Sequence, residues 1–386
     1  WAELVFQWTK HCVEKYGRAE VERWWWEVWN EANGAAYWHA RPEEFYKLHD
    51  YAVDAVRRAL PTARVGGPDS AGHGGKFTRD FLEHCLRGTN YATANLGTPL
   101  DFIAFHAKGV PSFTNGHVRM GIAAQLRTLD EGFKMVAAFP ELKSKPIVIG
   151  ESDPDGCAAC SAEVYPQNGY RNGTMYSSYT AASFARKQDI AALHGVNLEG
   201  ALTWAFEFED QPIFAGFRAL ASNGIDLPVL NVFRMFSKMS GRRLNAESDA
   251  AVPLAAILRD GVRAAPDVGA LATLDANTLC VLLWHYHDDD VRGPTAVVTV
   301  SLAGLPVRDR EVPVREFRID EEHSNAFTAW QRIGAPAKPG AEQLAALERA
   351  GGLAAVERPL LAVQSGKAIA KVHLPRRAVV LLILTL

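Results

Sequence analysis

The residues able to do chemistry sit where short apolar or aromatic runs end. The run Trp24–Trp29 leads into Asn30-Glu31-Ala32-Asn33. Phe102–His106 ends in the histidine itself, with Lys108 two residues on, and Ile147–Gly150 leads into Glu151. Ala201–Phe206 contains Trp204 and leads into Glu207, Glu209 and Asp210. In α/β sheets and barrels the working side chains lie at the carboxyl ends of strands. Carboxylates after two different strands, with an amide and a histidine nearby, meet the minimum for cleaving a glycosidic bond. One acid protonates the leaving oxygen, and a second carboxylate attacks the anomeric carbon or activates water. Each residue also has a plainer reading. A strand-end glutamate is often a solvated loop residue, a histidine often a satisfied core group, and Glu207, Glu209 and Asp210 form an acidic loop. Their occurrence together, in this order, is the stronger signal.

These residues need a frame. From residue 24 to about 240 the runs Trp24–Trp29, Ala63–Gly67, Phe102–His106, Ile147–Gly150 and Ala201–Phe206 alternate with helical periods over Glu43–Leu60, Phe77–Arg87, Gly121–Ala138 and Ser177–His194. Such alternation predicts βαβ units and a parallel sheet. A further amphipathic helix is expected over residues 2–16. No Gly-x-Gly-x-x-Gly turn and no phosphate-binding loop follows any run, so nucleotide chemistry lacks its cradle. Beyond residue 245 strand-like runs follow one another at Ala270–Leu274, Leu279–Tyr286, Ala296–Leu302 and Val312–Ile319. A helical insertion at Gly340–Ala350 precedes the last strands. This texture predicts an all-β sandwich over 246–386, after an α/β domain over 1–245.

Composition narrows the class. The chain has 386 residues, 48% of them hydrophobic and 22% charged. Its 41 basic and 44 acidic side chains leave a formal net charge of −3, so there is no global basic field for nucleic acid. No run approaches the ~18 apolar residues of a membrane helix. Ten tryptophans are compatible with stacking on flat sugar rings. Of five cysteines, Cys12, Cys85 and Cys280 fall in apolar periods and read as core thiols. Cys157 and Cys160 read as a local disulfide or as loop thiols; zinc would need a second ligand pair.

The segment Trp26–Asn33, WEVWNEAN, resembles the acid/base strand of clan A glycoside hydrolases, whose (β/α)8 barrel carries Asn-Glu at the end of strand 4 and a nucleophilic Glu at the end of strand 7. With Trp24–Asn30 as strand 4, Glu151 falls on strand 7. Phe105-His106, Trp204–Asp210, Leu227–Phe233 and His323–Trp330 are similar to glycoside hydrolase family 39, best known for β-xylosidases. The resemblance implies a TIM-type barrel, strands 4–8 of which lie in this chain, followed by the β-sandwich module. It implies Glu31 as general acid and base, Glu151 as nucleophile and Asn30 on the sugar 2-OH. His106 would line the same subsite, Trp204 would stack under the ring, and Glu209 and Asp210 would hold outer hydroxyls. The charge of Glu151 would help to raise the pKa of Glu31.

The expected activity is retaining exo-hydrolysis of β-xylosides, with no cofactor and no metal. A small carbohydrate is the expected partner, without nucleic acid or membrane, and a homo-oligomer is compatible. Cytoplasm and periplasm both stay open. His106-Ala107-Lys108-Gly109 and Glu151-Ser152-Asp153-Pro154 look more like the α-L-iduronidase branch of the family, in which Lys108 would pair with a substrate carboxylate; its plainer reading is a pair with Asp153. An arabinoside, or sugar binding without turnover, completes the alternatives. Ala32 stands where the clan usually has Pro, which should loosen that loop. The strand count also implies three earlier barrel strands, roughly 100 residues, outside this sequence.

Overall fold

The computed structural model describes residues 1–386. It divides into two compact units. One comprises Trp1–Lys108, Gln125–Asp153 and Lys187–Thr203; the other comprises Gly109–Ala124, Pro154–Arg186 and Trp204–Leu386.

The first unit is built on five parallel strands that are neighbours in chain order: β1 (Trp25–Glu27), β2 (Arg64–Ser70), β3 (Phe102–Phe105), β4 (Pro146–Ile149) and β5 (Asn197–Ala201). Val65, Ile103, Ile147 and Ile149 are buried, as expected for strands covered on both faces. Helix α1 (Ala2–Tyr16) and helix α2 (Pro42–Ala59) pack on the first strands through Val5, Cys12, Val53, Val56 and Val65. Helix α2 starts on Pro42 with Glu43 and Glu44 in its first turn and ends with Arg57 and Arg58. Both ends therefore complement the helix dipole. Helix α3 (Gly75–Arg87) follows β2, while helices Ile122–Ala137 and Thr174–His194 precede β4 and β5 in the chain. Trp24, Trp26 and Trp8 make edge and tilted ring contacts 6.0 Å apart, so these tryptophans serve packing.

One strand lies elsewhere than expected. The fifth strand is Asn197–Ala201, and Trp204–Asp210 follows it as irregular chain. The aromatic run attracts a strand assignment from side-chain type. The actual strand is NLEGA, whose exposed Asn197 and Glu199 and whose Gly200 hide it from a hydrophobicity pattern.

The second unit holds a six-stranded antiparallel sheet formed by Arg242–Leu244, Asp267–Asp275, Thr278–Tyr286, Val379–Thr385, Val314–Ile319 and Ala354–Glu357. The ladder Ala296–Ala303 with Lys367–Leu374 shares its apolar core, in which Val281, Leu283, Val380 and Leu382 meet Ala368, Val372 and Leu374. Pro313 divides the expected strand Val312–Ile319 because it has no N–H for the ladder. Helices Pro228–Phe236 and Ala326–Arg332 were not anticipated. Asn325 caps the latter, its side chain accepting the Thr328 N–H. Cys157 and Cys160 form a disulfide, and Cys12, Cys85 and Cys280 are buried thiols. No helix is long and apolar enough to cross a membrane.

Candidate active site

The ladder hydrogen bonding of the parallel sheet continues past the strands, and this continuation carries the site. The Glu31 N–H donates to Asp69 O (2.9 Å), His106 N–H to Ser70 O (2.8 Å), Ala107 N–H to Glu151 O (2.9 Å) and Ser152 N–H to Leu202 O (2.7 Å). Residues at the end of β2 and just beyond β1, β3, β4 and β5 are thereby held at one rim. Trp29, Glu31 and Asp69 have φ of 70°, 49° and 51°. This left-handed region costs a non-glycine residue of order 1 kcal/mol and is tolerated where the surroundings enforce it. Asp69 is also the extra residue of a β-bulge between Pro68 and Ser70 in the β2–β3 pairing. A bulge of this kind re-aims a side chain, and here it turns Asp69 toward His106.

Four of the anticipated residues come together. His106 is buried at the centre. Its Nδ1 lies 2.6 Å from Glu31 Oε1 and 3.8 Å from Glu151 Oε1, and its Nε2 lies 2.9 Å from Asp69 Oδ1. Oxygens of Glu31 and Glu151 fall within 4.8 Å of each other. Lys108 Nζ donates to Glu151 Oε2 (2.7 Å) and Asp153 Oδ2 (2.5 Å), and Asp153 also accepts from Thr203 Oγ1 (2.6 Å). Gln125 Nε2 braces this rim from below, donating to Ala107 O and Asp153 O. Asn30 is half-buried between the left-handed Trp29 and Glu31. The loop after Glu31 is not loosened by Ala32. Asn33 pins it with two hydrogen bonds to the Ala71 backbone, and Ala32 itself is buried.

Trp204, Glu209 and Asp210 belong to the second unit. Trp204 is partly exposed, with Phe206 edge-on at 4.6 Å and its carbonyl accepting from Arg218 Nε. Glu209 and Asp210 lie exposed on a turn, where Gln211 Nε2 donates to Glu209 O.

The electrostatics depart from expectation at Glu31. Its carboxyl is held below the usual value, first by the hydrogen bond from His106 and then by the charges of His106 and Lys108. Glu151 does not dominate it, because the imidazole is the nearer group. Burial alone would lower His106, but the contacts with Asp69 and Glu31 outweigh it and raise the imidazole to about 9. At neutral pH the proton therefore resides on His106. Glu27, on β1, is pushed up to about 8 by desolvation of its carboxyl and by the Asp69 carboxylate, with the charge of His106 opposing both. Solvent reaches the Glu27 side chain, so Asp69 is the firmer of these causes. Burial lowers the Lys187 ammonium to about 7, partly offset by Asp153.

Sequence reasoning missed Asp69 and Glu27. The expected run Ala63–Gly67 stops short of Asp69, whereas the strand extends over Arg64–Ser70 and carries Asp69 at its end. Gly150 is the other half of that arrangement. A Cβ there would lie 2.5 Å from Asp69 Oδ1, so glycine leaves the space that Asp69 occupies beside His106.

Glu31, His106 and Glu151 also have the spacing of a metal site. In the metal-free cluster their ligand atoms are already paired with one another. Both imidazole nitrogens face carboxylates, and a protonated ring has no lone pair to give. The set is a proton-sharing cluster.

The fold and site define an α/β protein with a parallel sheet, an acidic cluster at the carboxyl ends of its strands and a separate antiparallel module. The chain belongs to the glycosyl hydrolases family 39, which it matches over residues 1–364. It is 26% identical over 372 residues to an alpha-L-iduronidase of Mus musculus, covering 89% of this chain and 55% of that protein. It is 24% identical over 365 residues to a beta-xylosidase of Caldicellulosiruptor saccharolyticus, covering 91% of this chain and 65% of that protein. The fold is shared with a solved bacterial orthologue of human α-L-iduronidase, with TM-score 0.83 at 20% identity, over 100% of this chain and 65% of the other. The chain thus spans between about half and two thirds of these relatives' length.

Proposed function

We propose that the protein hydrolyses O-glycosidic bonds with retention of anomeric configuration. The observation that carries this reading is the approach of Glu31 and Glu151 oxygens to within 4.8 Å. Retaining enzymes place the two carboxyl groups about 5–5.5 Å apart, and inverting enzymes leave room for a water between them. Glu151 attacks the anomeric carbon, and its bond to that carbon forms as the bond to the leaving oxygen breaks. Glu31 protonates that oxygen, then takes a proton from the water that releases the glycosyl group. Lys108 and His106 hold Glu151 in place as the charged nucleophile. Asn30 takes the sugar 2-OH, and Trp204, Glu209 and Asp210 keep the substrate roles implied by the family. In this reading β1–β5 are strands 4–8 of a (β/α)8 barrel. Their consecutive parallel order supports the assignment, as do the positions of Glu31 after the first and Glu151 after the fourth. The division at residue 245 into a catalytic part and an accessory module belongs to the same proposal.

A β-xyloside is the first reading of the sugar, from the resemblance of the segments beyond the parallel sheet. A uronide is the second, and Lys108 favours it. The ammonium has three donors, two of which meet Glu151 and Asp153, so the third is available to a sugar carboxylate.

The test compares 4-nitrophenyl β-D-xyloside with 4-nitrophenyl uronides, using the wild type and Glu151→Ala. The expected result is turnover that falls roughly a thousandfold or more in the variant, the scale of losing a reacting group. Azide then restores activity and yields a glycosyl azide of inverted configuration. A folded protein that binds sugar but cleaves none of these glycosides overturns the proposal in favour of a binding protein.

A further inference from the structure

We propose that Asp69 is a positioning residue that makes His106 the store of the proton Glu31 delivers. The inference rests on the reading of Glu31 as acid and base. Its basis is geometric. Nδ1 of His106 lies 2.6 Å from Glu31 and Nε2 lies 2.9 Å from the Asp69 carboxylate, so each ring nitrogen has a carboxylate acceptor within reach and the charged ring, a donor at both nitrogens, satisfies both. The bulge at Asp69, its left-handed backbone and the missing side chain at Gly150 all serve to put that carboxylate there. A residue built into place by three separate features of the backbone is more than a neighbour.

The groups that face His106 account for its charge. Glu31 comes from beyond β1, Asp69 from the end of β2 and Glu151 from beyond β4. Lys108, on the same chain segment as His106, is paired with Glu151 and Asp153. Glu27 on β1 interacts with Asp69 and with His106 itself. Three carboxylates around one imidazole hold it as imidazolium, which agrees with its raised proton affinity.

The steps balance. In the first half-reaction the Nδ1 proton crosses to Glu31, leaving a neutral imidazole whose remaining proton faces Asp69. Glu31 passes the proton to the leaving oxygen as the glycosidic bond breaks and the bond to Glu151 forms. In the second half-reaction water adds to the anomeric carbon and the bond to Glu151 breaks. Glu31 takes the water's proton and returns it to Nδ1. One water is consumed and the cluster regains its starting charge.

The experiment titrates His106 by NMR in protein labelled with ¹⁵N-histidine, the resonance being assigned by its loss in His106→Asn. Kinetics are run beside it on two aryl glycosides, one with a poor leaving group and one with a dinitrophenolate that departs unaided. In Asp69→Asn the proton affinity of His106 should fall at least about tenfold, because a negative neighbour is removed. The basic limb of kcat/KM should move to lower pH in parallel. Hydrolysis of the poor leaving group should drop about tenfold or more, with the dinitrophenyl glycoside and KM little changed. Gly150→Ala, which displaces Asp69 without removing its charge, should move the titration in the same direction and guards against a folding defect in the first variant. An unmoved titration in both folded variants overturns the proposal. A moved titration with equal losses on both glycosides overturns the proton store and leaves a structural role. A wild type that cleaves neither glycoside, while the titration still shifts, removes the hydrolase reading and not the hold of Asp69 on His106.

Discussion

The Nδ1 atom of His106 lies 2.6 Å from Oε1 of Glu31, closer to that carboxylate than to Glu151 at 3.8 Å. The raised proton affinity of His106 and the lowered one of Glu31 favour the charged imidazole beside an ionised Glu31. In the proposed mechanism the acid is loaded from its neighbour, a histidine held by carboxylates at the ends of two other strands.

Replacing Glu31 should separate substrates by leaving group. In Glu31→Ala an aryl glycoside that needs protonation should lose about 10²–10⁴-fold in kcat/KM, the usual range for general acid catalysis. A dinitrophenyl glycoside should form its glycosyl-enzyme at near the wild-type rate and accumulate it. Azide should resolve that intermediate to a glycosyl azide of retained configuration. Equal losses on both substrates would remove Glu31 from the acid role.

Stability should carry the mark of His106. Its proton affinity rises on folding to about 9 from 6.5, and the group is buried. The stabilisation is then fully present below pH 6.5 and is lost as pH rises through 9, amounting to about 3 kcal/mol in all. Urea unfolding followed from pH 6 to 10 should show this decline, and His106→Gln should flatten it. A variant with the same slope as the wild type would contradict the assignment.

Lys108→Met tests the sugar. A charged hydrogen bond contributes about 1.5–3 kcal/mol, so the preference for a uronide over a xyloside should fall roughly ten- to hundredfold. An unchanged ratio would confine Lys108 to holding Glu151 and Asp153 and favour the xyloside.

Gly66→Ala tests the sheet beneath the site. A Cβ at Gly66 would lie 2.5 Å from the Phe102 ring, which packs against Trp25 with centroids 4.9 Å apart. Overpacking of this kind costs about 1–3 kcal/mol. The unfolding midpoint should drop, and Phe102→Leu in the same chain should recover part of the loss. A midpoint equal to that of the wild type would mean that the strands separate without cost.

Much of the site was legible along the chain. An apolar run such as Ile147–Ile149 must be buried, and the carboxylate that follows at Glu151 is then forced to the rim. The same argument places Glu31 and His106. Helix α2 is equally legible, because its apolar spacing and charged ends act locally. The direction of the Asp69 side chain was not legible. It depends on a bulge, and a bulge exists only against the partner strand β3. The fifth strand was misplaced because NLEGA becomes a strand through pairing with β4 rather than through its own composition. The proton on His106 was out of reach as well, since it depends on three carboxylates separated by up to 120 positions and joined only in space. Composition and periodicity by themselves determined the alternation of strands and helices and which residues stand at the strand ends. Tertiary structure alone decided the register, the pairing of Lys108 and the resting place of the proton, because hydrogen bonds and charge act through distance in space and not along the chain.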